Sequence, residues 1–167
     1  MIANKETIYT KDLANKKIKV VRDFDAPLPQ VWKAWTDPAI LDQWWAPKPW
    51  KANTQSMDFR SGGVWLYTME GPEGEKQYCR ADYQTVVPNK MFTGKDAFCD
   101  ENGKIKSDMF RTNWKTEFAS ISDGTRVTVE ITGDSETDLQ KMVEMGFEQG
   151  FAMAHKNLDE IFEKQTA

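Results

Sequence analysis

One histidine, His155, and two cysteines, Cys79 and Cys99, are all that the 167 residues offer to imidazole or thiol chemistry. None of them has a second cysteine or histidine at ligand spacing, so no metal site is expected, and two thiols are too few for a disulfide framework. They read as free buried thiols in a reducing compartment. No G-x-S-x-G, P-loop, H-E-x-x-H or dinucleotide fingerprint occurs, so neither a catalytic set nor a cofactor is expected. No apolar run approaches the roughly 18 residues of a membrane span, and the N-terminal MIANKETIYTKDL holds no signal-peptide core. The expectation is a cytoplasmic protein with no membrane insertion. A basic stripe is also missing: 22 basic residues are scattered among 26 acidic ones for a net charge of −4, which argues against a nucleic-acid partner. Linkers, internal repeats and low-complexity tracts are absent. One domain over residues 1–167 is therefore expected, with 1–16 as an N-terminal extension.

What is present is a sequence of well-marked elements. Lys17 to Phe24 (KIKVVRDF) is rich in β-branched residues and reads as a strand, stopped by Ala26-Pro27. The period then changes: Val31, Trp32 and Trp35 stand at helical spacing, and Asp37-Pro38 supplies an N-cap and a first-turn proline for a second short helix through Ile40, Leu41, Trp44 and Trp45. From Ala52 onward, turn chemistry at Ser61-Gly62-Gly63, Gly71-Pro72-Glu73-Gly74, Pro88-Asn89, Asp100 to Gly103 and Asp123-Gly124 separates six strands. Connections this short cannot hold crossover helices, so neighbouring strands should be antiparallel.

The last element reads as one long helix from about Ser135 to Glu163, opened by Ser135 with Asp138 in a capping box. At 100° per residue, Leu139, Met142, Val143, Phe147, Phe151, Ala154, Leu158, Ile161 and Phe162 share one arc. Gly146 and Gly150 lie in it too, which suggests a close approach of the sheet or of a bound molecule to the helix backbone. His155 falls about 20° outside the arc, beside Lys156, and reads as a boundary surface residue more than a general base.

The blocks TDPAILDQWWAPKPW, MDFRSGGVWLYTMEGPEG, YQTVVPNKMFTGKDAF and MGFEQGFAMAHKNLDEIF occur in this order. Together they resemble the family similar to the activator of heat-shock-protein-90 ATPase, a branch of the START-like superfamily with the birch-pollen-allergen fold. The resemblance runs from about Ile18 to Phe162. It implies an α+β helix-grip fold, in which a seven-stranded curved antiparallel sheet wraps round a long C-terminal helix and two short helices plug one end.

Such a fold leaves a hollow, and the period of two in each strand says which side chains face it. Met57 and Phe59 share one face, as do Trp65, Tyr67 and Met69 on the next strand. A two-residue turn at Pro88-Asn89 would set Val87 opposite Lys90 and Cys79 opposite Phe98. That register places Cys79, Ala81 and Tyr83 on the face of Phe92, Gly94, Asp96 and Phe98, with Cys99 pointing away. Thr112 and Trp114 line the following strand, and Phe147, Gly150 and Phe151 the helix. Gly94 stands where the resembled family often has an aromatic, so the pocket is expected to be enlarged there. A carboxylate at Asp96 reads either as an anchor for a ligand's donor or as a group bonded at the cavity mouth to Tyr67, Tyr83 or water. Trp44, Trp45 and Trp50 read as a gate or as core, with one of the adjacent pair buried and the other partly exposed.

The expected function is binding of a small hydrophobic or amphipathic molecule between sheet and helix, with Trp45 among the cavity residues. The alternatives are a co-chaperone-like module that regulates a chaperone ATPase and, further off, a polyketide cyclase or aromatase with Asp96, Tyr67 and Tyr83 as acid–base groups. Residues 1–16 are too few for the additional N-terminal domain that such co-chaperones carry, which ranks the chaperone reading second. Monomer and homodimer both stay open, Val64 and Leu66 forming an outward apolar pair that could seed a dimer.

Overall fold

The computed structural model describes residues 5–166. The chain runs β1 (Ile8–Asp12), a 3₁₀ turn (Leu13–Asn15), β2 (Lys17–Phe24), α1 (Leu28–Thr36), α2 (Pro38–Trp44) and β3 (Lys51–Met57). It continues through β4 (Val64–Glu70), β5 (Lys76–Val87), β6 (Met91–Phe98), β7 (Arg111–Ile121), β8 (Gly124–Gly133), α3 (Glu136–Glu144) and α4 (Phe147–Thr166). All strands join one antiparallel sheet in the order β1-β2-β8-β7-β6-β5-β4-β3. The expected α+β architecture is present. Short turns and one longer loop, residues 99–110 between β6 and β7, give the meander from β3 to β8, and α1 and α2 fill the connection between β2 and β3.

The sheet has eight strands where seven were expected. The extra one, β1, lies in the stretch read as an extension, of which residues 1–4 fall outside the described residues. Its side chains are mostly exposed, so it carries little of the alternation that marks a half-buried strand. Tyr9 fastens it: its hydroxyl donates to the Glu148 carbonyl at 2.6 Å and its ring meets Phe147 edge-on.

The C-terminal helix is two helices. Gly146 adopts φ +87°, a left-handed conformation that ends α3 just after Met145 and lets α4 start at Phe147. The expected close backbone approach is not found. Nothing lies within 4 Å of the place a Gly146 Cβ would occupy, and one on Gly150 would meet only Pro47 Cγ at an ordinary 3.6 Å.

The break also resets the helical phase, which corrects the placement of His155. It is buried, not at the boundary, and packs against Phe24, Trp35, Trp44 and Phe151. Its Nδ1 pairs with Thr7 Oγ1 at 2.8 Å while Nε2 has no partner. Burial, with the Arg22 guanidinium adding to it, holds its pKa well below the ordinary value, so the ring is neutral.

The core lies where β2, β7 and β8 meet the helices: Ile18, Val20, Phe24, Val31, Trp35, Leu41, Val127, Ile131, Leu158 and Phe162 are all buried. Trp44 is fully buried, its Nε1 donating to the Ala34 carbonyl, whereas Trp45 is half-buried, the division expected for adjacent helix residues. The expected caps form: Asp37 accepts from the Ala39 amide and Ser135 from the Asp138 amide.

In the β5–β6 pair Cys79 faces Phe98, Ala81 faces Asp96 and Tyr83 faces Gly94, as read from the sequence. A bulge between Tyr83 and Thr85 then shifts the register, so Val87 faces Met91 instead of Lys90. The bulge accounts for Gly94. A Cβ there would lie 2.9 Å from the Asp82 carbonyl oxygen, so the glycine admits a neighbouring backbone and does not enlarge a pocket. Val64 and Leu66 are half-buried, and the Leu66 side chain packs beside Gly103 of the loop after β6, so the expected apolar pair is not an open patch.

Candidate functional site

The inner faces of β4 to β7, the segment after α2 and the α3–α4 junction enclose an open-mouthed cavity of about 430 Å³. Strand alternation delivers Tyr67 and Met69 from β4, Cys79 from β5, Asp96 and Phe98 from β6, and Thr112 and Trp114 from β7. From the helical side come Trp45, Phe147, Gly150 and Phe151. The mouth adjoins a surface groove lined by Trp50, Gln77 and Phe98 together with Lys76, Tyr78, Lys106 and Met109.

The remaining sequence candidates lie elsewhere. Trp65, Ala81, Tyr83 and Gly94 line a separate inner void of about 30 Å³, partitioned from the main cavity by Trp45, Asp96 and Trp114, which border both. Met57 and Phe59 border neither. Phe59 packs instead against Trp32, Tyr83 and Phe92 at ring separations of 5.8, 4.8 and 5.4 Å. These rings and Phe118 fill that end of the hollow, and Trp32 of α1 is the plug that the strand pattern alone did not reveal. Trp50 stands at the mouth and Trp45 inside it, while Trp44 belongs to the core.

Sequence reasoning missed Pro47, Gln77, Met142 and Met145 as lining residues. Met142 and Met145 reach the cavity because α3 turns away at Gly146, and that glycine was the available signal.

The wall is mostly apolar, and its fixed donors are committed to one another. Trp45 Nε1 donates to Tyr67 Oη at 3.1 Å, and Trp114 Nε1 donates to Thr112 Oγ1 at 2.9 Å. Arg80, which alternates with the inward Cys79 and Ala81, turns its guanidinium to the outer face, where it forms a two-pronged pair with Asp82 and donates a third time to the Gly103 carbonyl. Asp96 is left without a hydrogen-bond donor among the described residues. Protein surrounds it, and the surface it still exposes faces the cavity. Burial, with Asp82 adding repulsion, pushes its pKa up to about 7. Burial also raises the Tyr67 hydroxyl well above its ordinary value and the Cys79 thiol to about 12, so both stay protonated at neutral pH. Cys79 and Cys99 are both buried and unpaired.

Chemically, this arrangement offers an apolar hollow with one carboxylate in its wall. Among the described residues no three His, Cys, Asp or Glu side chains converge as a metal site needs. None of the described helices is long and apolar enough to cross a membrane.

A protein from Arthrobacter aurescens, solved in solution by NMR, is 31% identical and superposes with a TM-score of 0.88, over 94% of this chain and 91% of that one. The crystal structure of a Mycobacterium smegmatis protein is 29% identical with a TM-score of 0.86, over 93% of this chain and 96% of that one. A Staphylococcus epidermidis protein, 24% identical with a TM-score of 0.83 over 94% of each chain, shares the fold. Among curated proteins none matches the chain. The family model described as Activator of Hsp90 ATPase homolog 1-like protein matches residues 25–163, and the chain belongs to that family.

Proposed function

We propose that the protein binds a small hydrophobic or amphipathic molecule in the cavity between β4–β7 and the α3–α4 junction, in the cytoplasm, where its free cysteines stay reduced. The observation that carries this reading is the hollow of about 430 Å³, whose aromatic and thioether lining meets a single unpartnered carboxylate. Pockets of a few hundred Å³ with this balance are the usual seats of small molecules. Trp45, Tyr67, Thr112, Trp114, Phe147 and Phe151 form the contact wall, and Asp96 sets the polar end.

Native mass spectrometry of protein purified without denaturation tests this through a retained adduct, and a hydrophobic fluorescent dye tests it through saturable binding. Cys79→Phe, which adds a ring inside the cavity, should abolish dye binding at an overpacking cost of about 1–3 kcal/mol. Unchanged dye affinity in a folded Cys79→Phe protein contradicts the assignment.

The family supports a second reading, a protein-interaction module that regulates a chaperone ATPase. It predicts a changed ATP hydrolysis rate when the protein is added to the chaperone. The third reading, a polyketide cyclase- or aromatase-like enzyme with Asp96, Tyr67 and Tyr83 as acid–base groups, ranks last, because burial raises both tyrosine hydroxyls and leaves Asp96 as the group that titrates near neutrality.

A further inference from the structure

Resting on the cavity reading above, we propose that the cavity selects ligands that carry a protonated amine on an aromatic or otherwise apolar body, the ammonium paired with Asp96 and the body laid against Trp45, Trp114 and Phe151.

Three features of the wall lead there. The first is the unpartnered carboxylate: the indole donors of Trp45 and Trp114 are committed to Tyr67 and Thr112, the Arg80 guanidinium to Asp82, and no donor among the described residues bonds Asp96, which leaves it to a donor on the ligand. The second is the ring wall. Trp45 and Trp114 lie 6.1 Å apart, and Phe151 stands 5.8 Å from the first and 5.7 Å from the second. Aromatic faces attract cations, and more strongly where water is excluded. The third is charge. Arg80 and Arg111 share the Asp82 carboxylate, and Lys76 and Lys106 stand exposed on the outer groove, so among the described residues Asp96 is the one carboxylate that lines the cavity. An alcohol would answer the carboxylate with a weaker bond and would gain nothing from the ring faces, and a carboxylate ligand would add repulsion.

The pairing is linked to a proton. The titratable groups on the same face as Asp96 are Tyr67 on β4 and Cys79 and Tyr83 on β5, with the Thr112 hydroxyl opposite on β7, while Asp82, on the other face of β5, acts on it through space. The raised pKa of Asp96 leaves it largely protonated at pH 6, so an ammonium entering at that pH expels the carboxyl proton to solvent. Affinity should climb from pH 6 to pH 8 and level off until the amine itself deprotonates near pH 10. A ligand that presented an acceptor to protonated Asp96 would show the opposite trend.

The test uses three compounds on one skeleton: 2-(2-naphthyl)ethylamine, 2-(2-naphthyl)ethanol and 2-naphthylacetate, ranked calorimetrically at pH 8, where Asp96 is ionised, with the amine titrated again at pH 6 in two buffers of different ionisation enthalpy. The expected order is amine over alcohol by about tenfold or more, with the carboxylate weakest, and net proton release on amine binding. In Asp96→Asn the amine should lose its advantage over the alcohol. Proton release from the unmodified protein requires no variant to fold. Equal binding of amine and alcohol, proton uptake, or an amine preference that survives in Asp96→Asn overturns the amine assignment and leaves the cavity reading standing. Failure of all three compounds and of the hydrophobic dye to bind overturns both.

Discussion

Trp45 reaches from the end of α2 across the cavity wall to donate its indole N–H to Tyr67 Oη on β4 at 3.1 Å. This bond joins the helical plug to the sheet at the inner end of the hollow, where Trp45 borders both the main cavity and the small void behind it. Trp45→Phe removes the donor and leaves a buried hydroxyl with one partner fewer. The expected loss is about 1 kcal/mol in chemical denaturation, with a gain in accessibility of the inner void.

Gly146 gives a prediction whose sign decides between two helical geometries. In an unbroken helix Gly146→Ala would stabilise by about 1 kcal/mol. At φ +87° the same change forces a Cβ into the left-handed region and should destabilise by about 1–2 kcal/mol, although no atom stands in its way. Urea denaturation of the variant distinguishes the two. Stabilisation would mean that α3 and α4 form one helix in solution.

Gly94→Ala should destabilise for a different reason, steric contact. Its Cβ would press on the Asp82 carbonyl oxygen at 2.9 Å, and backbone at a bulge yields little, so a loss of about 1–3 kcal/mol is expected with affinity for the hydrophobic dye unchanged. Gly94→Phe, which would restore the aromatic that the resemblance implies at this position, should fail to fold well for the same reason.

Asp96 and His155 impose opposite pH dependences on stability. The Asp96 pKa is raised on folding from 3.8 to about 7, so the folded state holds the extra proton between those values. Its contribution is full below about pH 4 and is lost as pH rises through 7. The His155 pKa is depressed on folding, so its contribution is present above about pH 6.5 and is lost as pH falls. Comparing Asp96→Asn with the unmodified protein cancels the histidine. The stability of Asp96→Asn relative to the unmodified protein should rise between pH 5 and pH 8, read from denaturation midpoints, and a difference independent of pH would show that Asp96 is not buried.

The sheet from β3 to β8 was legible because turn residues and two-residue alternation mark it directly, and the Cys79–Phe98 pairing came out as read because the longer turn, Pro88 to Lys90, and the bulge after Tyr83 offset each other. The bulge after Tyr83 was not, because Gly94 can signal either missing volume or a close backbone, and only the position of Asp82 decides. β1 was hidden by its exposed, polar side chains, although Tyr9 carried the contact that holds it. His155 was misplaced because a helical wheel assumes an unbroken helix, and Gly146 breaks it. Tyr67, Asp96, Thr112 and Trp114 came from strand parity. The methionines of the α3–α4 junction needed the break to be known first.

The central claim is that apolar ligands occupy the space between Thr112, Trp114 and Phe151. Two-dimensional NMR of labelled protein during titration with 2-(2-naphthyl)ethylamine tests it most directly. The account predicts saturable shifts confined to the cavity wall, with intermolecular contacts from the naphthyl protons to the Trp45, Trp114 and Phe151 rings and none at Val64 or Leu66. Contacts on the outer face of the sheet, or no saturable shifts with this ligand or with a neutral hydrophobic one, would contradict it.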